Sequence, residues 1–341
     1  MVKKLICFLF PLFFLPAVFT EAQYVRPVKT KMVWDFIHGK EDNRNVEKGF
    51  IHDSLDVISP TWFYIDSAYG EVASFADREY VKWAHDRGLK VWPVFENSSN
   101  NALTFFALSD KKNRGRIVEQ ILEYVSWYDL DGININFEAL RGETGIYYEQ
   151  LIVELYERLK PFGITLSVDI PLPVNSILGV YDLHLIAGNS DFIVIMGYDQ
   201  HNNDSPIIGP VAAIDWVKKG IEDTLQYVSP DKVILGIPFY TRVWLENRTG
   251  GRQPASELRG MKEAFEVFEN AARIWRRESI TEQIYAEYSN GETTFKVWLE
   301  DEHSISLKLD LINDYDLAGM SAWRRGWEWE ETWDMIEAYF Q

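Results

Sequence analysis

Cysteine is almost missing from this 341-residue chain, whose one cysteine, Cys7, lies in an apolar stretch near the amino terminus. Metal sites built from several thiolates are therefore excluded. Disulfide networks are excluded as well, and a chain of this size buries enough apolar surface to fold without them. The six histidines show none of the spacings that metal ligands adopt in sequence, so no metal ion is expected.

Positively charged residues are also scarce: the chain has 34 lysines and arginines and 52 aspartates and glutamates. The formal net charge of −18 repels the phosphates of nucleic acids and the surfaces of anionic membranes. Neither is expected as a partner.

Long hydrophobic runs are absent apart from one at the start of the chain. Lys3 and Lys4 precede an apolar run from Leu5 to Phe19, and small residues follow up to Ala22. This run is shorter than the roughly 20 residues that cross a bilayer. It predicts a signal peptide over residues 1–22 rather than a stable membrane anchor. The mature protein would then be exported: secreted, periplasmic or on the cell surface.

A glycine-rich turn after the first predicted strand, typical of nucleotide-binding sheets, is missing too. What recurs is a strand followed by a helix, which favours an α/β fold with one (β/α)8 TIM barrel over an open, doubly wound sheet. The predicted strands are Met32–Ile37, Asp56–Ile65, Leu89–Phe95, Gly132–Phe137, Ile164–Ile170, Phe192–Tyr198, Val233–Tyr240 and Leu317–Trp323. The predicted helices are Asp77–Arg87, Arg114–Trp127, Gly145–Leu159, Val211–Tyr227 and Trp329–Phe340.

The connection between the seventh and eighth predicted strands is too long for a simple loop. Its pattern predicts a helix over Ser256–Arg276 and then a hairpin that turns at Asn290-Gly291. We interpret residues from about 244 to 315 as a small α+β insertion on the loop face, where barrel enzymes place their active sites.

Polar residues alternate with apolar ones along the fourth predicted strand. Asn134, Asn136 and Glu138 share the face that points into the barrel, because strand side chains alternate in direction. Buried polar groups must bond to one another or to a ligand. Glu138 comes last, at the strand end where barrels carry their acids and bases. Apolar walls around such a carboxyl would favour the protonated form that a general acid needs.

This stretch resembles the fourth-strand signature of glycoside hydrolase family 18, the chitinase-like barrels, which reads D-G-x-D-x-D-x-E. Asp131, Gly132 and Glu138 match it, whereas Asn134 and Asn136 replace its second and third aspartates. Other stretches resemble motifs of the family and of its bacterial branch that trims spore cortex and other peptidoglycan: Met196-Gly197-Tyr198-Asp199, Ser321-Ala322-Trp323, Ile58–Phe63, Val91–Phe95 and Gly236–Tyr240. The resembling barrel covers residues 28–341 and includes no wall-binding repeats.

The resemblance implies a retaining, substrate-assisted glycosidase without a metal or organic cofactor. Glu138 would protonate the glycosidic oxygen while the acetamido carbonyl of the bound sugar attacks the anomeric carbon. Tyr198 would hold that carbonyl oxygen, Asp199 would fix the sugar, and Trp323 would stack beneath its ring. Asn136 would accept the acetamido N–H without the charge of the family aspartate, which would attenuate the rate. Further substrate contacts are expected from Asn134, Met196, Asp131, Asn97, Tyr240 and Arg242.

Two functions that use the cleft stay open at this point, beside a structural or interaction barrel whose cleft is vestigial. One is a hydrolase of β-linked N-acetylglucosamine polymers, with peptidoglycan as the first substrate and chitin as the second. The other is a lectin that binds such sugars without cleaving them. In both, the partner is an amino-sugar polysaccharide or oligosaccharide, and the sequence indicates no oligomeric state.

Three placements are open as well. Asp169 is either a carboxyl of the cleft or part of a salt bridge in a loop. Glu96, at the end of the third predicted strand, either lines the cleft or lies outside it. On the second strand, Trp62 or Tyr64 is expected to face the cleft.

Overall fold

The computed structural model describes residues 28–172, 176–247 and 255–340. The predicted signal peptide, residues 1–22, lies outside these ranges. Among the described residues, no helix combines the length and the apolar character needed to cross a membrane.

Eight parallel strands form a closed barrel, as the sequence predicts. Each strand pairs with the next around the ring, and the first closes the ring by pairing with both the second and the eighth. The strands are β1 (Thr30–Asp35), β2 (Val57–Ile65), β3 (Val94–Glu96), β4 (Gly132–Asn136), β5 (Thr165–Pro171), β6 (Phe192–Met196), β7 (Val233–Pro238) and β8 (Gly319–Trp323). Two short segments extend the sheet beside β2, Val72–Ser74 and Lys90–Val91.

Helices follow the strands, and all except α7, which packs on the insertion described below, cover the outside of the barrel. They are α1 (Arg78–His85), α2 (Asn101–Ser109), α3 (Lys111–Tyr128), α4 (Thr144–Leu159), α5 (Leu183–Gly188), α6 (Ile214–Thr224), α7 (Met261–Ala271), α8 (Glu302–Asp314) and α9 (Glu331–Phe340). Short 3-10 turns occur at Asp42–Lys48, Lys160–Phe162 and Pro230–Lys232. The apolar faces of the outer helices meet the outward side chains of the strands, such as Ile133, Ile135 and Val168, which are fully buried.

The insertion between β7 and β8 is an antiparallel sheet with α7 packed on it. Its strands are Tyr240–Asn247, Ala255–Gly260, Ile274–Arg277, Ile284–Asn290 and Thr293–Leu299. The sheet and α7 share a small core of their own, in which Val243, Phe268 and Val297 are buried. The predicted hairpin at Asn290-Gly291 is confirmed, since Gly291 turns it with a φ of 61°.

The predicted helix over Ser256–Arg276 is wrong at both of its ends. Its first residues pair with Tyr240–Leu245 in the insertion sheet, and its last ones form the edge strand Ile274–Arg277. Gly260 ends the strand Ala255–Gly260 directly before α7, in close contact with the backbone of Trp327, which would have to shift to admit a side chain there. Pairing within the sheet thus outweighs the helical pattern of the sequence.

The helix α8 lies inside the predicted insertion limits but packs on β7, β8 and α9. The insertion sheet therefore ends at Leu299, and α8 belongs to the barrel. The junction is fixed by a buried ion pair: Lys308 Nζ on α8 lies 2.9 Å from Glu300 Oε2, and both side chains are at most 1% exposed. Gln283 and Ser304 also donate hydrogen bonds to that carboxylate, at 2.7 and 2.6 Å.

Asp131 precedes β4, at the end of the barrel opposite to the carboxyl ends of the strands. Its Oδ2 accepts hydrogen bonds from the backbone N–H of Val91, at 2.8 Å, and from His85 Nε2, at 2.9 Å. The expectation that Asp131 contacts a substrate is therefore wrong. Its carboxylate fixes the start of β4 against the preceding strand.

We predict that Asp131→Ala lowers the free energy of unfolding by about 1–2 kcal/mol, because the Val91 amide loses its partner. Urea unfolding measures this change. Asp204→Ala, at an exposed position, is the control and should change stability by less than about 0.5 kcal/mol. Equal effects of the two substitutions would contradict the role given to Asp131.

A second prediction concerns the buried pair at the junction. Lys308→Met leaves Glu300 buried without its cation and should cost about 3–5 kcal/mol. Lys82→Met removes the lysine of the exposed Lys82–Asp86 pair at the end of α1 and should cost less than about 1 kcal/mol. Thermal or chemical unfolding of the two variants distinguishes them, and similar losses would contradict the prediction.

Candidate active site

The turn before β4 and the alternation along this strand determine which of its side chains point into the barrel. Helix α3 ends at Asp129, whose left-handed φ of 59° turns the chain back toward the barrel. Ile133 and Ile135 then point outward, and Asn134 and Asn136 point inward. Glu138 follows two residues beyond β4, on the side of the loops.

A cavity of about 520 Å³ opens at this end of the barrel, above Asn136 and below the loops. The side chains that line it include Trp34, Phe36, Thr61, Glu96, Asn136, Glu138, Asp169, Met196, Tyr198, Asp199, Asn202, Tyr240, Leu258 and Trp323. Four of these are carboxylic acids, and no described lysine, arginine or histidine is among the lining residues. In the described ranges, no group of three or more His, Cys, Asp or Glu side chains is placed to hold a metal ion.

Glu138 is held at the mouth of the cavity by its backbone and by its carboxylate. Its N–H donates to Asn97 Oδ1 and its carbonyl accepts from Asn97 Nδ2, both at 2.9 Å. Its carboxylate accepts from Asn136 Nδ2 and from Ser99 Oγ, both at 3.2 Å. The side chain is exposed, so the expectation of apolar walls around it is wrong. Its carboxylate lines the cavity, where a ligand can contact it.

Asn136 has an unused acceptor. Its Nδ2 donates to Glu138, whereas its Oδ1 is buried and has no hydrogen-bond partner among the described residues. A buried carbonyl without a donor is costly. A ligand N–H in the cavity would satisfy it.

Asn134 lies below Asn136 and joins three strands. Its Oδ1 accepts from Trp34 Nε1 at 2.9 Å, and its Nδ2 donates to Ser167 Oγ at 3.0 Å and to Asp169 Oδ1 at 2.6 Å. This network closes the barrel under the cavity. Asn134 therefore supports the floor from below and does not line the cavity itself.

Asp169 ends up in the cleft and not in a salt bridge of a loop. It is 3% exposed, lines the cavity, and has no ion-pair partner among the described residues. Burial raises the pKa of its carboxyl well above the usual range, the bond from Asn134 opposes that rise, and the charge of Glu138 adds to it. Asp169 is thus a second acidic group under the same cavity.

Glu96 lines the cavity too, on the strand next to β4, where it pairs in register with Asn136. Its pKa is raised, chiefly by burial and further by the like charge of Glu138. The carboxyls of β3, β5 and the loop after β4 therefore face one space and influence one another.

Tyr198, Asp199 and Tyr240 form the wall opposite Glu138. Tyr240 donates its hydroxyl hydrogen bond to Asp199 Oδ1 at 2.7 Å, and Arg242 Nη2 lies 3.7 Å from the same oxygen. Burial raises the pKa of both tyrosines well above the usual value. Tyr198 therefore stays protonated and can donate a hydrogen bond to a ligand.

Aromatic rings form the remaining wall. The ring of Trp323 lies 5.9 Å from that of Trp34 and 5.8 Å from that of Phe36, centroid to centroid. Tyr198 meets the edge of Trp34 at 6.3 Å. Such a set of rings offers flat apolar faces, against which the C–H faces of a sugar ring can pack.

The structure brings most of the predicted site residues together. Seven line the cavity: Asn136, Glu138, Met196, Tyr198, Asp199, Tyr240 and Trp323. Asn97 and Arg242 lie one layer behind, where Asn97 holds the Glu138 backbone and Arg242 Nη1 donates to Asn203 and Ser256. The prediction that Asn97 and Arg242 contact a substrate directly is therefore wrong. Both side chains support residues at the cavity.

The expectation that Trp62 or Tyr64 faces the cleft is wrong. The pairing of β2 with β3 shifts by one residue between Thr61 and Phe63, which is a β-bulge. Thr61 lines the cavity as a result, whereas Trp62 is fully buried and donates to Asn43 Oδ1 at 2.9 Å. Alternation along a strand fails where a bulge inserts one residue.

Sequence reasoning missed Trp34 and Phe36 as lining residues. A signal was present, because Met32, Trp34 and Phe36 alternate along the first strand and so share one face. The wall formed after β5 by Leu172, Ile177 and Tyr181 had no such signal. It belongs to a loop whose path depends on the whole fold.

Comparison with known proteins agrees with this geometry. The model of the family "Glycosyl hydrolases family 18" matches residues 39–327. The uncharacterized glycosylase YvbX of Bacillus subtilis is 25% identical over 298 residues, which cover 84% of this chain and 85% of that protein. The cortical fragment-lytic enzyme of the same organism is 25% identical over 239 residues, which cover 68% of this chain and 55% of the enzyme.

Solved structures share the fold at lower identity. The spore cortex-lytic enzyme SleL of Bacillus cereus superimposes with a TM-score of 0.82 at 20% identity, over 93% of this chain and 75% of that one. The C-terminal domain of a putative chitinase from Desulfitobacterium hafniense gives a TM-score of 0.82 at 21% identity, over 92% of this chain and all of that domain. Since the family model spans most of the sequence, this chain belongs to glycosyl hydrolases family 18.

Proposed function

We propose that this protein hydrolyses β-linked N-acetylglucosamine polymers, with retention of configuration and with the help of the substrate's own acetamide. The observation that carries the proposal is the position of Glu138: an exposed carboxyl at the carboxyl end of β4, in one cavity with Tyr198 and Trp323. Barrel enzymes place their acids and bases at this end of the strands.

Each step of this reaction has a side chain in reach of the cavity. Glu138 gives its proton to the glycosidic oxygen as that bond to the anomeric carbon breaks. The acetamido oxygen, held by the Tyr198 hydroxyl, forms the new bond to the same carbon. The unpartnered Oδ1 of Asn136 accepts the acetamido N–H. Water then opens the resulting oxazolinium ion and gives a proton back to Glu138.

The substrate class follows from the relatives and from the walls of the cavity. The relatives include a cortical fragment-lytic enzyme and proteins named as chitinases. Peptidoglycan is the first substrate that we propose, and chitin is the second. We also propose export through the signal peptide of residues 1–22, which would bring the protein to such polymers. No metal or organic cofactor enters the reaction that we propose.

A second function is supported by one observation. Asn136 is uncharged where the family signature carries an aspartate, so the cation formed during cleavage gains less stabilisation from this residue. A protein with this cavity and slow chemistry would act as a lectin for the same amino sugars. The retained Glu138 favours the hydrolase.

The first test is turnover of N-acetylglucosamine oligomers and of purified peptidoglycan. Wild type should cleave at least one of them, and Glu138→Gln should lower kcat by at least about 10²-fold while binding persists, because the general acid is lost. Glu157→Gln, at an exposed position of α4, is the control and should retain the wild-type rate. A Glu138→Gln variant as fast as wild type would refute the assignment of the acid.

The second test separates the hydrolase from the lectin. Asn136→Asp returns a charge to the inward face of β4 and should raise kcat on the same oligomers severalfold. If wild type only binds and Asn136→Asp cleaves, the natural protein is a lectin. If wild type cleaves and Asn136→Asp is no faster, attenuation by Asn136 is refuted.

A further inference from the structure

Asp169 is a buried acid that the pairing of the barrel alone does not require. It lies near the carboxyl end of β5, between the apolar residues Val168 and Ile170. Its Oδ1 accepts the hydrogen bond from Asn134 Nδ2 at 2.6 Å. Its Oδ2 accepts no hydrogen bond from the described residues, although the side chain lines the cavity. One oxygen of this carboxyl is therefore available to a ligand.

The position of Asp169 is unfavourable for stability. A carboxylate loses its hydration when it is buried, and here no described cation compensates for that loss. The raised pKa of Asp169 reports the same cost. An apolar residue or an asparagine in this place would stabilise the fold at least as well. The carboxyl therefore serves another purpose.

The charged group that faces Asp169 is another acid, Glu138, from the loop after β4. The protonated, neutral hydroxyls of Tyr198 and Tyr148 face it from the loop after β6 and from α4. The other acids of the cavity are Glu96 and Asp199, and Arg242, whose Nη2 lies 3.7 Å from Asp199 Oδ1, is not among the lining residues. The floor of the cavity thus attracts positive charge.

The reaction that we propose creates such a charge. When the acetamido oxygen bonds to the anomeric carbon and the glycosidic bond breaks, the ring that forms is a cation, with its charge spread over the O–C–N group. Asn136 accepts the N–H of this group but brings no charge. A carboxylate next to it would stabilise the cation.

We propose that Asp169, on the strand beside Asn134 and Asn136, is the catalytic carboxylate that faces the oxazolinium ion and supplies the charge that the two asparagines of β4 lack. This inference rests on the proposed function. In the reactive form, Asp169 is ionised and Glu138 is protonated. Glu138 gives its proton to the leaving oxygen and recovers one from the attacking water, while Asp169 remains an anion throughout.

The decisive variant is Asp169→Asn, which keeps the shape of the side chain and removes its charge. We expect kcat on N-acetylglucosamine oligomers to fall about 10²-fold, with KM within about threefold of wild type. The matched control is Asp191→Asn, the same change at the opposite end of the barrel, where Asp191 Oδ2 accepts from the Leu166 N–H at 2.8 Å. A kcat of Asp169→Asn equal to that of the control overturns the proposal.

Moving the charge tests the role more directly. In the Asp169→Asn background, Asn136→Asp should restore kcat at least tenfold, and this gain should exceed the gain of Asn136→Asp in wild type, because both carboxylates serve one cation. Equal gains in the two backgrounds would show that the positions act independently and would overturn the proposal. A loss of structure in Asp169→Asn would not be rescued in this way.

The pH dependence of kcat/KM gives a readout that a purely structural role would not move, and the pH dependence of stability reports the titration of the same group. A raised pKa means that folded Asp169 holds its proton at a pH where the unfolded chain has lost it. Stability therefore falls as pH rises from about 4 through the folded-state pKa. Asp169→Asn should abolish this decrease and should remove the acidic limb of kcat/KM. An unchanged acidic limb contradicts the assignment.

Ligand binding separates this inference from the proposed function. The probes are a thiazoline derivative of N-acetylglucosamine, which mimics the oxazolinium ion, and the neutral N-acetylglucosamine trimer. Asp169→Asn should weaken binding of the thiazoline at least tenfold and of the trimer less than threefold. If wild type cleaves no oligomer but this difference appears, the proposed function fails, and what stands of the inference is that Asp169 faces the cationic ring. If wild type cleaves but both probes bind the variant as they bind wild type, the inference fails alone.

Discussion

The alternation of side chains along a parallel strand in a closed ring is the constraint on which this site depends. In β4 it sends Ile133 and Ile135 to the helices and Asn134 and Asn136 to the inside. Since the ring is closed, the inward residues of neighbouring strands must share one space. Glu96, Asn136 and Asp169 therefore face the same cavity although they lie far apart in the sequence.

That constraint also explains the electrostatic character of the cavity. Four carboxyls line it without a described lysine, arginine or histidine, and two of them, Glu96 and Asp169, have raised pKa values because of their burial. Such acids keep their protons to a higher pH than exposed ones do. The cavity is thus suited to chemistry in which a proton moves and a positive charge appears for a short time.

The sequence predicted the barrel, the row of polar residues on β4 and most of the residues that line the cavity. These features follow from local periodicity, which a single sequence displays. The errors arose where distant parts of the chain decide. The bulge at Trp62 depends on the pairing of β2 with β3, and the strand at Ala255–Gly260 depends on its partner in the insertion sheet. The placement of Asp169, which the sequence left open, follows from its position on β5 beside Asn134. Asp131 matches the family's fourth-strand motif. Because it precedes β4, however, it lies at the end of the barrel opposite to the cavity.

The hydrogen bonds of the Asn97 side chain affect how the site binds a ligand. Its side chain donates to the carbonyl of Glu138 and accepts from the N–H of the same residue, as a neighbouring strand would do. This pair of bonds, together with the bond from Asn97 to Thr104 on α2, ties the loop after β4 to the loop after β3. The backbone that carries the acid is thereby ordered before any sugar arrives. Little conformational entropy is lost at this loop on association, and the cleft acts as a rigid template that a flexible polymer chain must fit.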